Sequence, residues 1–296
     1  MYTQALKIAA IIAILFFSGF ASAQSYVFLD EDGKEVSAEA FGEKCDSNLL
    51  FNCTVIKQTK KLVVAQIRFK QKFGKISTQE MDQVRKLLRK DSGRELEKEK
   101  TLLISYYDSL ADFKASKKMH DSLEKKFIDQ YKNNADQYKK DYKSEKVEYF
   151  IDFSREIFDD KIKDFVKDKN RCKKKFEKRF NVNVLFMHAD NVVKEKQYSN
   201  FDWIQDRGVI NTVFIKNDLQ NPFISKKVRF LVIKPDGEYF ISNNHFNENT
   251  KILKKLLKNK DWSDYKEDYK KSLYGNIMGE GLFKRKPKRS HERHCF

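Results

Sequence analysis

The chain has 296 residues, of which 14% are aromatic and only 3 are proline, a composition that excludes an intrinsically disordered protein. Its formal net charge of +17 at pH 7 favours anionic partners in general, such as nucleic acid, acidic polysaccharide or a membrane surface with anionic headgroups. Acidic residues are interleaved with most of the basic ones, however. We therefore favour the simpler interpretation that most lysines form the solvated faces of helices.

Residues 1–23 have the pattern of a cleavable secretory signal peptide. An apolar run over 8–17 follows a positively charged start, and Ala21-Ser22-Ala23 supplies the small residues that signal peptidase requires. The alternative is an uncleaved membrane anchor, but an apolar run of about ten residues is half of what a spanning helix needs. We predict an exported protein, periplasmic or secreted, whose mature chain begins at Gln24 and has no transmembrane segment.

Residues 24–95 are predicted to form a small N-terminal α+β unit. The predicted strands lie at 26–36, which contains a turn and a short return strand, and at 54–56 and 62–69. A helix is predicted over 77–89, because Ser77 and Glu80 form a capping box ahead of an apolar stripe.

The chain has four cysteines, and export would place them in an oxidising compartment. Cys45 and Cys53 are close in a polar, turn-rich segment, and we predict a disulfide between them. Cross-linking a loop this short stabilises a protein by about 2–3 kcal/mol. Cys172 lies on the apolar stripe of a predicted helix, where a buried free thiol is the commoner outcome. Cys295 belongs to the C-terminal tail.

A long charged stretch over about 114–180 keeps its apolar residues at helical spacing. The stripe consists of Met119, Leu123, Phe127, Tyr131, Ala135, Tyr138, Tyr142, Phe158, Ile162, Phe165, Cys172, Phe176 and Phe180. The spacing predicts two long amphipathic helices, or one that is interrupted near 143–146. We expect the stripes to form core, with an extended coiled-coil arm as the alternative.

Strands and helices alternate on both sides of this stretch. The predicted strands lie at 101–107, 182–187, 209–215, 228–233 and 238–242, and the predicted helices at 198–205, 247–258 and 262–273. The tripeptide Pro235-Asp236-Gly237 separates the last two strands. Because this is a strong turn signal between apolar runs, it predicts a β-hairpin.

The segment 230–241, Phe-Leu-Val-Ile-Lys-Pro-Asp-Gly-Glu-Tyr-Phe-Ile, resembles the final hairpin of the thioredoxin-like superfamily. The order of strand, helix, strand, helix, hairpin and closing helix is similar to that of a thioredoxin-like domain. The resemblance implies an α/β (α+β) fold in which residues 96–262 form a thioredoxin-like sheet. The helical stretch is then an insertion between the first two strands, and a C-terminal helix follows over 263–278.

Two departures from the family pattern argue against redox activity. Thioredoxin-like oxidoreductases carry Cys-x-x-Cys at the start of the helix after the first strand, and residues 108–112 here contain no cysteine. The family also has a cis-proline just before the hairpin, where Val228 aligns in this chain. Without these groups thiol–disulfide exchange has no nucleophile. The resemblance therefore implies a degenerate, redox-inactive scaffold, and fold alone implies no activity.

Only one acid–base cluster can be assembled from the sequence. His188 ends a predicted strand, where α/β proteins place catalytic groups, and Asp190 and His245 follow predicted strands as well. Their spacing matches no metal or hydrolase signature, and no phosphate-binding loop is present. Residues 291–295 carry two histidines and a cysteine, which on a tail more often bind metal adventitiously. We predict no catalytic residue, no cofactor and no specific metal site.

Residues 279–296 are predicted to be a basic tail. Its anion-binding candidates are Lys284, Arg285, Lys286, Lys288 and Arg289. The alternative is a solvated, disordered end. The sequence as a whole favours an exported, non-catalytic binding or structural module with affinity for anionic polymers or membrane surfaces. The alternative is a hydrolase that acts on an anionic envelope polymer through His188, Asp190 and His245.

Overall fold

A computed structural model describes residues 25–133, 153–189, 195–210, 213–214, 230–243, 248–275 and 278–284. These residues form six α-helices and nine strands in two mixed sheets, so the protein has the α+β fold class that the sequence predicts. None of the helices within these ranges is long and apolar enough to cross a membrane. The predicted signal peptide over 1–23, the expected interruption near 143–146 and Val228 lie outside the described residues.

The chain divides into two compact units. The first contains Met1–Phe69 and Asp268–Lys286, and the second contains Lys70–Glu267 and Pro287–Phe296. The sequence places the end of the N-terminal unit at residue 95, whereas the contacts place it at Phe69. The reason is that the strand Gln71–Lys75 pairs with Glu238–Ser242, and the helix Thr78–Ser92 packs into the core of the same sheet.

The first unit contains a three-stranded sheet and one helix. Its elements in chain order are β1 (Ser25–Leu29), α1 (Ala38–Ser47), β2 (Phe51–Gln58) and β3 (Leu62–Phe69). The strand order is β1-β3-β2, with β1 parallel and β2 antiparallel to β3. The return strand expected after β1 is reduced to one bridge between Leu29 and Glu35, because β1 pairs with β3 instead.

Helix α1 is tied to the sheet by a disulfide. The helix begins where Ser37 Oγ accepts a hydrogen bond of 3.2 Å from the backbone N–H of Ala40. Cys45 forms the expected disulfide with Cys53 of β2, with 5.8 Å between the two Cα atoms. The polar residues around Cys45 indicate turns from the sequence, but Cys45 itself lies in the helix.

Residues 278–284 belong to the folded part of the first unit, although the sequence places a basic tail from 279 onward. Leu282 and Phe283 are buried, and the backbone N–H of Leu49 donates to the carbonyl of Phe283 at 2.9 Å. The side-chain amide of the buried Asn48 donates a hydrogen bond of 2.8 Å to the backbone carbonyl of Ser272. Two buried apolar residues therefore extend the packed chain beyond the predicted boundary.

The second unit contains a six-stranded sheet. Its elements in chain order are β4 (Gln71–Lys75), α2 (Thr78–Ser92), β5 (Leu102–Tyr107), α3 (Phe113–Asn133), α4 (Arg155–Phe180), β6 (Asn183–His188), a short 3-10 helix (Lys196–Asn200), β7 (Trp203–Gln205), β8 (Phe230–Ile233), β9 (Glu238–Ser242) and α5 (Glu248–Lys258). The final helix, α6 (Ser263–Tyr274), contains the boundary between the units at Asp268. The strand order is β4-β9-β8-β5-β6-β7, and β8 and β9 form the predicted hairpin.

Helices pack on both faces of this sheet. On one face, Met81 and Leu88 of α2 share a core with Ile104 of β5. Side chains alternate along a strand, so Tyr107 points to the opposite face, where it contacts Phe165 of α4. The parallel strands β5, β6 and β7 therefore lie between helices, as parallel strands generally do.

The two long helices differ in how their apolar stripes are used. In α4 the predicted stripe is buried at Phe158, Ile162 and Phe176. In α3, by contrast, Met119 is 63% exposed and Leu123 is 52% exposed, so the described residues do not cover this part of the stripe. The expectation of a buried core stripe therefore holds for α4 and not for the first half of α3.

The chain after β6 differs from the sequence-based prediction in two places. The helix expected over 198–205 is a 3-10 helix followed by β7, because residues 203–205 pair in parallel with β6. The strand expected over 209–215 is helical at its four described residues. The side chain of Asp206 explains this change, because its Oδ1 accepts hydrogen bonds from the backbone N–H groups of Gly208 and Ile210, as a helix-capping residue does.

Candidate functional site

The parallel strands of the second unit end together at one edge of the sheet. Tyr107, His188 and Gln205 are the last residues of β5, β6 and β7, and they pair in one row. Strand β9 runs in the same direction as β5, since both are antiparallel to β8, and so it ends at this edge as well. Ligands in α/β sheets usually bind at the carboxyl ends of the strands, which makes this edge the candidate functional site.

Three aromatic side chains, Tyr107, Phe165 and Trp203, contact one another at this edge, and we call them the ring cluster. The rings of Phe165 and Trp203 are parallel within 5° and their centroids are 6.3 Å apart. Tyr107 stands edge-on to Phe165 at 5.9 Å and to Trp203 at 5.4 Å, a favourable arrangement for aromatic rings. All three residues are half-buried, so part of each reaches the surface.

The indole nitrogen of Trp203 is a buried hydrogen-bond donor. Among the described residues, Nε1 has no acceptor within hydrogen-bond distance. A buried donor without an acceptor costs about 1–3 kcal/mol, so most such groups in folded proteins bond to protein, water or ligand. Trp262, the other tryptophan of the chain, donates its own Nε1 to the carbonyl of Leu256 at 3.0 Å.

Lys169 of α4 lies against the ring cluster. Its Nζ is 5.3 Å from the centroid of the Phe165 ring and 6.0 Å from that of Tyr107, and the residue is 9% exposed. Burial lowers the pKa of Lys169 to about 8, although the negative charge of Asp168 acts in the opposite direction. The negative ring faces attract the ammonium group and offset part of its desolvation. Lys169 therefore loses its proton at a pH where an ordinary lysine stays charged.

The sequence contains a signal for Lys169 that the periodicity analysis passes over. The apolar stripe of α4 steps from Phe165 to Cys172, and Lys169 occupies the buried position between them. A lysine is rarely buried without a specific environment. A charged residue at a stripe position therefore marks a candidate site, whereas counting apolar residues alone does not find it.

His188 is the member of the predicted acid–base cluster that lies within the described residues. It is 3% exposed, and its ring centroid is 6.1 Å from that of Trp203. Asp190 and His245 lie outside the described residues. The burial of His188 leaves almost no surface for contact with a polymer substrate. Its geometry fits a packed side chain beside the ring cluster better than it fits an exposed acid or base.

Tyr106 and Asp206 form a buried pair on the other face of the sheet. The hydroxyl of Tyr106 donates to Asp206 Oδ2 at 2.9 Å. Burial, with the nearby charge of Asp206, raises the pKa of Tyr106 well above its ordinary value. Because Asp206 also caps the turn at Gly208, this pair joins β5 to the end of β7 and has a structural role.

The N-terminus of α3 is closed by oxygen atoms of the chain itself. Asp112 Oδ1 accepts a hydrogen bond of 2.9 Å from the backbone N–H of Ala115, and Glu195 Oε1 accepts one of 2.7 Å from that of Phe113. These acceptors satisfy N–H groups that have no partner within a helix. Residues 108–112, where the thioredoxin-like resemblance would place the cysteines of a thiol enzyme, directly precede this helix start.

Two further contacts hold this helix start in place. Arg155 Nη2 donates to Glu195 Oε2 at 2.6 Å, and its guanidinium carbon lies 5.3 Å from the centroid of the Phe113 ring. The hydroxyl of Tyr198 lies near the backbone N–H of Ala111. Burial raises the pKa of Tyr198 to about 12, so this hydroxyl stays protonated at neutral pH.

None of the three described cysteines is a free thiol. Cys45 and Cys53 are bonded to each other. Cys172 is 5% exposed, as expected of a residue on an apolar stripe, but it is in a disulfide and is not the buried free thiol that the sequence favours. Helical periodicity indicates burial and not oxidation state, so the stripe alone does not distinguish the two outcomes.

One group of metal-ligand type was not apparent from the sequence. His120, Asp121 and Glu124 lie on α3 with their ligand atoms within 4.8 Å of one another. Asp121 pairs with Lys117 at 3.2 Å and is exposed, as many acidic residues on helices are. The group therefore has an ordinary surface role and does not by itself indicate a metal site.

The predicted anion-binding tail lies mostly beyond the described residues. Lys284 is exposed and forms a β-bridge with Asn48 in the first unit. The other candidates, Arg285, Lys286, Lys288 and Arg289, lie outside the described residues, as does the 291–295 segment.

Comparisons with protein-family models, with curated proteins and with solved structures find no match to this chain. The function is therefore inferred from the residues at the carboxyl edge and at the start of α3.

Proposed function

We propose that this protein is an exported, non-catalytic binding module that uses a thioredoxin-like scaffold without thiol chemistry and binds anionic polymers. The proposal has four parts: the scaffold, the closed helix start, export and the positive charge.

The strand arrangement of the second unit supports the scaffold. Four strands in the order β6-β5-β8-β9 have a parallel pair on one side and an antiparallel hairpin on the other. Helices α3 and α4 connect the parallel pair, and α5 follows the hairpin. These elements follow the order that the resemblance implies, with β4 and β7 added at the two outer edges, except that the helix expected before the hairpin is a 3-10 helix followed by β7.

The closed start of α3 is the observation that carries the proposal. The resemblance implies that a thiol enzyme of this fold uses this helix start to stabilise a thiolate. Here the backbone N–H of Phe113 donates to Glu195, and the N–H of Ala115 donates to Asp112. An incoming substrate would have to displace a buried carboxylate that also pairs with Arg155. These contacts support a structural role for the start of α3.

The cysteines support export. The described cysteines are all in disulfides, which form and persist in oxidising compartments. If residues 1–23 are removed as proposed, mass spectrometry of the protein from a secreting host detects Gln24 at the N-terminus. Retention of Met1 on the exported protein contradicts this part of the proposal.

A net charge of +17 supports binding to anionic polymers, and the basic tail supplies several of the charges within a short segment. Each phosphate neutralised on nucleic acid contributes roughly 0.7–0.9 to the slope of log K against log salt, and we expect a comparable slope per site on other polyanions. Replacing Arg285, Lys286, Lys288 and Arg289 by glutamine is therefore expected to reduce this slope by about 3.

The test measures binding and cleavage of one polymer together. The protein is incubated with heparin, and both the salt dependence of binding and the length of the polymer are followed. The tail variant R285Q/K286Q/K288Q/R289Q is compared with a control of equal charge change at exposed lysines, K57Q/K60Q/K61Q/K86Q.

The proposal expects salt-dependent binding, a smaller slope in the tail variant than in the control, and polymer of unchanged length. Equal slopes in the two variants contradict the role of the tail. Shortening of the polymer that is lost in His188→Ala contradicts the proposal and supports the hydrolase alternative.

A further inference from the structure

We propose that Cys172 of α4 forms a disulfide with Cys295, and that this bond anchors the basic tail to the second unit. The bond itself does not depend on the proposed function. Its effect on polymer binding does rest on the proposed function, because that effect concerns the basic residues of the tail.

The first observation is the number of cysteines. The chain has four, and Cys45 and Cys53 are bonded to each other. Cys172 is in a disulfide as well. A disulfide requires a second cysteine, so a bond of Cys172 within the chain leaves Cys295 as its partner.

The second observation is the division of the chain into two units. The segment Pro287–Phe296, which contains Cys295, belongs to the second unit, although Asp268–Lys286 just before it belongs to the first. Cys172 is in the second unit too, since α4 lies within Lys70–Glu267. This grouping follows from the course of the backbone and not from cysteine chemistry, and it places both partners in one unit.

The position of Cys172 indicates a structural bond. The residue is 5% exposed and lies on the buried stripe of α4, next to Phe176 in the stripe. Thiol–disulfide exchange requires that a thiolate reaches one of the two sulfur atoms. Burial of the Cys172 sulfur removes one of the two points of attack, so the bond should persist while the protein is folded.

Formation of the bond is an oxidation with a balanced partner reaction. The thiols of Cys172 and Cys295 lose two protons and two electrons as the S–S bond forms between their sulfur atoms. The electrons reduce a disulfide oxidant, such as oxidised glutathione or a disulfide oxidoreductase, to two thiols, which take up the protons. Oxidants of this class belong to the compartments where disulfides persist, which is where the proposed export would deliver the chain.

The bond gives the basic tail a second fixed end. The first fixed end is Phe283, which is fully buried and whose carbonyl accepts a hydrogen bond of 2.9 Å from the backbone N–H of Leu49. The anion-binding candidates from Lys284 to Arg289 lie between Phe283 and Cys295 in the sequence. Restricting a segment before it binds reduces the entropy that binding costs. The bond therefore raises the affinity of the tail for a polyanion without adding charge.

Peptide mapping of the full chain from a secreting host tests the bond. The protein is alkylated in denaturant without a reductant and is then digested with a protease that cleaves after lysine. The digest places Cys172 in peptide 170–173 and Cys295 in peptide 289–296. The other two cysteines share a third peptide, so their bond does not join separate peptides.

We expect mass spectrometry to find peptides 170–173 and 289–296 joined, and to find them separate after a reductant is added. Three results overturn the bond. They are alkylated Cys172, a link between two copies of 170–173 from different chains, and a link from 170–173 to the peptide that holds the other two cysteines.

Cys295→Ser is the informative variant, because it breaks the bond at the tail and leaves the side chains of α4 unchanged. Alkylation in denaturant should then label Cys172. The control Ser290→Ala, which alters the tail without touching a cysteine, should leave Cys172 unlabelled as in the wild type. An unlabelled Cys172 in Cys295→Ser would reveal a different partner and overturn the assignment.

Heparin binding measures the effect of the bond on the tail. Cys295→Ser keeps every charge, so the slope of log K against log salt should equal that of the wild type. The affinity at one salt concentration should fall by about two- to tenfold, the range for losing the advance ordering of one side chain. Ser290→Ala should bind as the wild type does, and equal affinity of Cys295→Ser and the wild type contradicts the effect on the tail.

The bond and the proposed function fail with different signatures. Joined peptides in a wild-type protein that shows no salt-dependent heparin binding contradict the proposed function and leave the bond in place. Separate peptides in a protein that binds heparin with the expected salt dependence contradict the bond alone.

Discussion

Glu195 and Phe113 are 82 residues apart in sequence, and the carboxylate of Glu195 accepts a hydrogen bond of 2.7 Å from the backbone N–H of Phe113. The contact places a negative charge at the positive end of the α3 dipole, and it closes the helix start where the thioredoxin-like resemblance implies a thiol. Arg155 holds the other oxygen of the same carboxylate. A residue between β6 and β7 thus completes a helix that begins after β5.

Glu195→Ala is expected to lower the free energy of unfolding by about 1–3 kcal/mol, the cost of leaving a buried N–H without its acceptor. Urea unfolding followed by circular dichroism measures the change. Asp164→Ala, which removes an exposed carboxylate from α4, is the control and should change stability by less than about 0.5 kcal/mol. Equal effects of the two substitutions would show that Glu195 does not support the helix start.

Lys169→Met should stabilise the protein at pH 7 by about 1–3 kcal/mol, because it removes a buried positive charge. The pKa of Lys169 is lowered to about 8 in the folded state from 10.5. Between these values the unfolded state binds more protons, so wild-type stability rises with pH across this window. The gain in the free energy of unfolding of Lys169→Met over the wild type should therefore be largest below pH 8 and should disappear by about pH 10.5.

Urea unfolding at pH 7, 9 and 10.5 (a range set by the two pKa values) measures this difference, with Lys167→Met as the control. A stabilisation that does not vary with pH relative to the control would show that methionine acts by packing and not by removing a charge.

The cysteine contacts predict no free thiol at Cys45, Cys53 or Cys172 in the oxidised protein. Alkylation in denaturant without a reductant should therefore leave all three of these cysteines unlabelled. Replacing Cys45 and Cys53 together by serine is expected to destabilise the first unit by about 2–3 kcal/mol. Labelling of Cys172 before reduction contradicts its assignment to a disulfide.

Two glycines should respond to alanine in opposite directions. A Cβ on Gly74 would lie 2.1 Å from the ring of Tyr239, so Gly74→Ala forces that ring to move and is expected to cost about 1–3 kcal/mol. Gly42 lies within α1 with nothing within 4 Å of an added Cβ. Gly42→Ala should therefore stabilise the protein by about 0.5–1 kcal/mol. Thermal unfolding measures the change in melting temperature of each variant. A Gly74→Ala protein that is as stable as the wild type contradicts the contact with Tyr239.

The parts of the fold that follow from the sequence are those encoded within a few residues. Ser77 and Glu80 form the predicted capping box, with Ser77 N donating to Glu80 Oε2 at 2.7 Å. Pro235-Asp236-Gly237 produces the predicted hairpin, in which Gly237 adopts a φ of 84° that favours glycine. In both places the partners are close in the chain, so no knowledge of the tertiary structure is needed.

The parts that do not follow from the sequence depend on distant partners. Strand β1 pairs in parallel with β3, and β7 is a strand because it pairs with β6. The candidate site has the same character, since Lys169 contacts Tyr107 across the chain and Trp203 joins them from β7. Local patterns report helical spacing and turns, but they do not report which strand end a helix covers.

We expect the protein to have no thiol–disulfide activity, and its rate of insulin reduction measures this. Residues 108–112 contain no cysteine, and Cys172 is buried in a disulfide, so the rate with glutathione should equal the rate of glutathione alone. Cys172→Ser should give the same background rate. Turnover above background that is lost in Cys172→Ser would contradict the claim, because it would show that the disulfide of Cys172 is an active redox centre.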